Sequence, residues 1–545
     1  MHHCVTKAMA IATAAALCLL PAAPADAKNW RGSDTTTPIK HLVIIFQENV
    51  SFDHYFGTYP NALNPPGEPA FHARKGTPTV NGLSGALLTN NPNSLGTGNG
   101  TGATNPFRLD RSQAATNDQN HNYGPEQAAT HFGLMDLFPA KVGTAGAPPN
   151  APPQTVTTKG LNLGYYDGNT VTALWNYAQH FAMSDNSYDT TFGPSTPGLL
   201  NLVSGQTNGV INTINGTGNQ TDGSNGTLTM IGDADPLNDV CSSPTRNQGQ
   251  MAGQNIGNLL NSAGVTWGSF MGGFDLTITN SNGTTGCGRT STGVASTTGD
   301  YIPHHAFFQY YDSTSNPKHT RPGSVSEIGH NGAANHNYDI NDFYATVKAG
   351  NFPAVNFLKA PAFQDGHAGY SDPLDEQTFV VNVVNFLEKT PYWDSTAVVI
   401  LYDDSDGWYD HVMSPIVNQS SSPADALTGP GACGDGSTAL PGPQTGTTHA
   451  QGRCGYGPRQ PLLVISPWAK RNFVDHTVTD LSSIIHFIED NWLEGTRIGG
   501  GSFDVLSNSI EQMFDFENFR FATGKLILDP NTGLVVDNDY DDRDW

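Results

Sequence analysis

Two pairs of oxygen-bearing residues stand where an apolar run stops. Glu48 and Asn49 follow residues 42–46, LVIIF, and Asp403 and Asp404 follow residues 397–402, AVVILY. Runs of this length and composition fit strands buried on both faces of a mostly parallel sheet. The carboxyl ends of such strands are where open α/β sheets place their ligands. Carboxylates gathered there are costly unless positive charge neutralises them, and one divalent cation is the simplest source of it. An all-oxygen donor set favours Ca²⁺, Mg²⁺ or Mn²⁺ over zinc. The first pair also has a plain structural use, because Asn49 and Ser51 suit the cap of a helix over residues 51–55.

A nucleophile is available in residues 191–198, TFGPSTPG, where Pro197 suits the first turn of a helix continuing through Leu199, Leu200 and Val203. Ser195 then lies at a helix N-terminus, where free backbone amides and the macrodipole favour a phosphate or an alkoxide. Thr196 is the rival hydroxyl, and a capping role is the structural alternative. Histidines recur in polar or loop settings: His121 in DQNHNY (118–123), His304 and His305 after Pro303, and His367 in the glycine-flanked QDGHAG (364–369). In an acidic chain they can meet an anionic substrate in place of Lys and Arg.

These residues need a scaffold. Further strands are expected over 181–183, 265–271, 355–358 and 460–467, and amphipathic helices over 372–389 and 479–492. Strands alternating with helices, joined by right-handed crossovers, give an α/β fold: a three-layer α/β/α sandwich with a mostly parallel sheet. Residues 84–106 and 207–227, crowded with Gly, Asn and Thr, read as surface loops. Long insertions at about 84–106, 206–300 and 413–459 are expected in a single domain over 28–545, which ends in an acidic tail carrying solubility alone.

Lys7, the apolar residues 8–20 and the small-residue site Ala25-Asp26-Ala27 form a signal peptide over 1–27, which makes the chain secreted or periplasmic. No later stretch approaches the roughly 20 apolar residues of a membrane span, so no stable membrane anchor is expected. Cys241, Cys287, Cys433 and Cys454 remain, an even number in an oxidising compartment. Sequence neighbours suggest 241 with 287 and 433 with 454, among the three connectivities possible. The formal net charge of −24 argues against nucleic acid as a partner.

Glu48-Asn49 with residues 51–57, Asp185-Asn186, Pro303-His304-His305, Gln364-Asp365-Gly366-His367, and Asp403-Asp404 leading to Tyr409-Asp410-His411 resemble, in this order, the bacterial secreted acid phosphatase and phosphatidylcholine-type phospholipase C family. The resemblance covers nearly the whole mature chain. It implies an alkaline-phosphatase-like fold and one metal ion held by Glu48, Asn49, the nucleophile Ser195, Asp403 and Asp404. It further implies a phosphate pocket lined by His121, His304, His305 and His367, with Asn49, His304 and His305 on the substrate and His121 or His367 as proton donor. The phospholipase C branch usually reads Asp-Glu-Gly-Gly where this chain has Asp403-Asp404-Ser405-Asp406, and often Thr at the position of Ser195. Both differences lean towards an acid phosphatase acting on small phosphomonoesters through a covalent phosphoserine. An acidic optimum is expected, because histidines lose their charge above about pH 6.5. A phospholipase C acting on phospholipid head groups is the alternative. A non-catalytic, metal-stabilised binding protein is the alternative of another class, and it has no use for Ser195 or the histidines. A sulfatase is disfavoured by the lack of a Cys-x-Pro-x-Arg motif.

Overall fold

A computed structural model describes Met1 and residues 34–538, except 96, 149–150, 216–217, 430–431, 434–439, 441, 444–449 and 518–524. Residues 2–27 of the expected signal peptide, with Cys4 and Cys18, and the last acidic residues of the tail lie outside the described residues.

The core is a nine-stranded sheet. In chain order its strands are β1 (His41–Gln47), β2 (Ala182–Tyr188), β3 (Trp267–Met271), β4 (Asn337–Asp339), β5 (Val355–Lys359), β6 (Thr396–Tyr402), β7 (Arg459–Ile465), β8 (Phe473–Asp475) and β9 (Thr479–Asp480). They lie in the order β4-β3-β5-β1-β6-β7-β2-β8, with β9 beside β2. All pairs are parallel except those of β7, which runs antiparallel to β6 and β2. Leu42 to Phe46 and Ala397 to Ile400 have no exposed surface, so the central strands are covered on both faces. Each such side chain contributes about 1.5–3 kcal/mol on burial. Of the helices α1 (Tyr123–Thr130), α2 (Thr172–His180), α3 (Ser195–Ser204), α4 (Ile340–Lys348), α5 (Pro373–Glu388) and α6 (Ser482–Trp492), two groups pack: α3 lies against α6, and α2 against α5. The result is the three-layer α/β sandwich.

Several boundaries differ from the sequence-based expectation. β2 runs on through Ser184–Tyr188, polar residues drawn into the sheet by pairing with β7 and β9. Residues 207–227 are not a loop. Asn208–Ile214, Gln220–Asp222 and Leu228–Met230 belong to a separate five-stranded sheet with Gln248–Met251 and Asp235–Pro236. Val210 and Met251 are paired and buried there, and the turn-forming residues around them mask that pattern in the sequence. Residues 84–106 hold short helical turns at Ala86–Thr89, Pro92–Leu95 and Thr97–Gly102. The end of the chain does more than carry charge: a hairpin of Leu526–Leu528 and Val535–Asn538 docks on α5, where Leu526 N–H donates to the Glu388 carboxylate at 3.1 Å. Both disulfides, Cys241–Cys287 and Cys433–Cys454, are formed.

Burial of carboxyl groups gives this fold a pH dependence. Glu376 on α5 accepts hydrogen bonds from Tyr55 and Tyr402 at 2.9 and 2.6 Å, and burial pushes it up to about 8. Asp372, which caps α5, is pushed up to about 7 by burial and by Asp375. A raised carboxyl holds a proton in the folded chain that the unfolded chain releases, so its stabilisation is lost as pH rises through the folded pKa. Between pH 7.5 and 9 the buried histidines with lowered pKa, such as His54, are neutral in both states and do not oppose this. The melting temperature of the metal-free protein should therefore fall over that interval. Glu376→Gln should flatten the fall, and a melting temperature that rises from pH 7.5 to 9 would contradict it.

Candidate active site

The register of the sheet assembles the first half of the site. β1 and β6 pair in parallel from His41 with Thr396 to Gln47 with Tyr402, so the next residues after the two strands are Glu48 and Asp403. Backbone bonds knit the strand ends: Glu48 N–H donates to Asp365 O and Val50 N–H to Asp404 O, both at 2.8 Å. Asn49 takes a left-handed conformation at φ 55°, which costs Asn less than most residues and turns its side chain back to the sheet end.

The second half comes from α3. Ser195 opens this helix and is 1% exposed. Its Oγ lies 3.1 Å from Glu48 Oε2 and 3.3 Å from Asp404 Oδ2. Gly198 lets the helix come this close, since a Cβ there would sit 2.1 Å from Asp403 O. Thr196 points elsewhere, with its Oγ1 3.4 Å from the Tyr310 hydroxyl. One expectation needs correction: the helix start offers few free amides to a phosphate, because Thr196 N–H already donates to Asp233 at 3.0 Å and Pro197 has none.

One end of the Asn49 amide is 2.7 Å from Glu48 Oε2 and 2.8 Å from Asp403 Oδ1; the other end is 3.1 Å from His367 Nε2. Turned one way the NH₂ group bonds both carboxylates; turned the other, three oxygens converge. His367 decides between them. Its Nδ1 is 2.5 Å from Ala368 O, so Nδ1 carries the proton, and burial lowers the pKa of the ring and keeps it neutral. Nε2 is then an acceptor and takes the Asn49 NH₂, leaving Oδ1 among the carboxylates. Such convergence needs a cation or a proton. Asp403 Oδ2 is also buried and has no hydrogen-bond partner among the described residues.

Positive charge is partly supplied by a residue that sequence reasoning missed. Lys359, 1% exposed at the end of β5, pairs with Glu48 Oε1. The apolar run of β5 reads as ending at Leu358, so the lysine gave no signal. One ammonium faces Glu48, Asp365 and Asp403 together, and Glu48 is still held well above the usual carboxylate range by burial and by Asp403. Burial likewise raises Asp404.

The histidines ring this centre. His305 Nδ1 is 3.1 Å from Glu48 Oε1, and burial, aided by His304, holds its ring neutral. His304 packs edge-on to His305 at 4.5 Å and lies 3.6 Å from Asp235. His121 differs. Its Nδ1 is 3.0 Å from Asp406 Oδ1, and although burial lowers its pKa, Asp404 and Asp406 outweigh this and raise it well above 6.5. Asp406 in turn donates its N–H to Asp404 Oδ1 at 2.7 Å. All the expected site residues therefore meet in one network. The surrounding motif residues are structural: Asp53, Asp410 and His411 form a buried ion cluster around Arg459, and His54 stacks on Trp408 at 3.8 Å.

Fold and site together define an α/β protein with a buried hydroxyl set against paired carboxylates at the carboxyl ends of parallel strands. The chain belongs to the phosphoesterase family, whose model matches residues 39–493. It is 25% identical over 475 residues to the non-hemolytic phospholipase C of Pseudomonas aeruginosa, covering 83% of this chain and 54% of that protein. It is 26% identical over 451 residues to phospholipase C A of Mycobacterium tuberculosis, covering 80% of this chain and 69% of that one. The chain thus spans about half the length of the Pseudomonas relative. Among solved structures it is similar to murine ectonucleotide pyrophosphatase/phosphodiesterase 5, at 12% identity over 63% of this chain and 95% of that one with a TM-score of 0.32. A protein of the alkaline phosphatase superfamily from Vibrio parahaemolyticus is similar at 13% identity over 78% and 74%, with a TM-score of 0.26. At those TM-scores neither likeness bears on function.

Proposed function

We propose that this chain is a secreted or periplasmic metal-dependent phosphoesterase that hydrolyses phosphomonoesters through a phosphoserine on Ser195. One observation carries the reading: Ser195 Oγ stands between Glu48 Oε2 and Asp404 Oδ2, at 3.1 and 3.3 Å, in a site ringed by four histidines. A non-catalytic binding protein has no use for that hydroxyl. The converging Asn49, Glu48 and Asp403 oxygens and the orphaned Asp403 Oδ2 fit a hard divalent cation held by Glu48, Asn49, Ser195, Asp403 and Asp404. Such an ion, Ca²⁺, Mg²⁺ or Mn²⁺, lowers the pKa of the serine hydroxyl and offsets phosphoryl charge when bound.

The side chains do the rest. Ser195 Oγ gives its proton to the carboxylate it faces and attacks phosphorus, forming the Oγ–P bond as the bond to the leaving alkoxide breaks. His121, whose pKa Asp404 and Asp406 raise, donates to that alkoxide; now neutral, it takes a proton from the water that attacks phosphorus, and as the Oγ–P bond breaks the carboxyl returns its proton to Ser195 Oγ. His367 is the poorer donor, since its Nδ1–H is spent on Ala368 O and its Nε2 accepts from Asn49. His304 and His305 border the phosphoryl oxygens.

The acidic optimum inferred from the number of histidines is moderated by their surroundings, since the proton donor rests on His121 alone and its pKa is raised. Activity should hold through pH 6.5 and fall on the alkaline side as His121 loses its proton, and His121→Asn should remove that alkaline limb from a kcat/KM profile. An alkaline limb that persists in this variant would sink the assignment. The second reading, cleavage of phosphocholine diesters, is favoured by the names of the relatives. Ser195 and the Asp403-Asp404 pair favour monoesters. Assay of p-nitrophenyl phosphate against p-nitrophenyl phosphocholine separates the two: faster release from the diester hands the chain to the phospholipase reading.

A further inference from the structure

We propose that Glu126 is a positioning residue that clamps the nucleophile turn to the carboxylate loop, an inference that rests on the phosphoesterase reading for its kinetic consequence. Glu126 is 3% exposed on the helix Tyr123–Thr130. Its two carboxylate oxygens go to two different site loops. Oε2 accepts from Gly193 N–H at 3.0 Å, two residues before Ser195. Oε1 accepts from Ser405 Oγ at 2.7 Å, next to Asp404, and that hydroxyl also accepts from Gly407 N–H at 3.0 Å.

These contacts close a ring. Glu126 holds Gly193, the chain runs to Ser195, Ser195 faces Asp404 at 3.3 Å, and Ser405 returns to Glu126. Gly193 sits at φ 124°, a conformation that side chains rarely adopt, and the acceptor for its amide is Glu126 Oε2. A cavity of about 20 Å³ beside the carboxylate is walled by Met135, Phe138, Val142 and Phe192. The same short helix begins two residues after His121, so one element fixes the proton donor and both loops. Glu126 thus bridges the turn that leads into Ser195 and the residue that follows Asp404.

The test measures kcat and KM on p-nitrophenyl phosphate for the wild type, Glu126→Ala, Glu126→Gln, Ser405→Ala and the Glu126→Ala/Ser405→Ala double variant. Misplacing the attacking oxygen by about 1 Å costs on the order of 100-fold, so Glu126→Ala should lose roughly that in kcat with KM within about threefold. Glu126→Gln, which can accept from Gly193 and donate to Ser405, should recover most of the loss. The double variant should be little worse than Glu126→Ala, because both changes open one ring. A kcat for Glu126→Ala within about threefold of wild type, a glutamine variant as slow as the alanine one, or additive losses in the double variant overturns the proposal. A crystal structure of Glu126→Ala gives a readout independent of activity: the Ser195 Oγ to Asp404 separation should open by about 1 Å, and an unchanged separation overturns the clamp even if the wild type hydrolyses no phosphate ester. Wild-type inactivity with an opened separation would instead count against the function alone.

Discussion

Asp403→Asn should lose the divalent ion and turnover together. Asp403 is fully buried, and its Oδ1 accepts from Asn49 N–H at 3.1 Å and Asp404 N–H at 2.9 Å. Those two bonds survive the change, because the Asn carbonyl oxygen can take the same place. The other oxygen, Oδ2, has no hydrogen-bond partner among the described residues. Replacing it with an NH₂ group puts donors where a cation needs an acceptor and removes one negative charge from the ligand set. The fold should persist, since a buried carboxylate with an unmatched oxygen is itself a cost. Elemental analysis after dialysis, paired with a p-nitrophenyl phosphate assay, checks this. A variant with full metal content would show that Asp403 is not a ligand of the ion.

Ser195→Ala has the larger kinetic effect. It removes the attacking oxygen and leaves Glu48, Asn49, Asp403 and Asp404 in place, so turnover should fall by several orders of magnitude with folding retained. Thr196→Ala should be far milder. The Thr196 hydroxyl faces Tyr310 rather than the carboxylates, and its backbone N–H bond to Asp233 does not depend on the side chain. Turnover that survives in Ser195→Ala, with Thr196→Ala inactive, would move the nucleophile one residue along the helix.

What could be read from the chain follows from where burial is one-sided and where it is complete. β1 and β6 are buried on both faces, so each appears as an uninterrupted apolar run, and the polar residues that end them mark the site without any knowledge of pairing. Ser195 was legible from Pro197 and the apolar residues behind it. The contacts of its neighbours were not: Asp233 reaches Thr196 from another segment of the chain, and Ser405 meets Glu126 across 279 residues. No periodicity encodes such pairs. Lys359 closes an apolar strand and resembles an ordinary solvated end, yet the fold turns it inward to Glu48. The small sheet around Val210 and Met251 was hidden for the opposite reason, since its strands are short, polar on one side and separated by turn-forming residues. Histidines could be found by type but not sorted. Only the structure shows that His121 faces Asp404 and Asp406, which raise its pKa, while Ala368 O and Asn49 occupy His367.

The central claim is a covalent phosphoserine at the head of α3, and trapping it is the most direct measurement. The enzyme is mixed with p-nitrophenyl phosphate, quenched in acid during turnover, digested and analysed by mass spectrometry. The peptide spanning residues 191–198 should carry one added phosphoryl group, localised to Ser195 by fragmentation and missing from the Ser195→Ala variant. Phosphate on Thr196, or rapid turnover with that peptide unmodified at every quench time, would contradict the account.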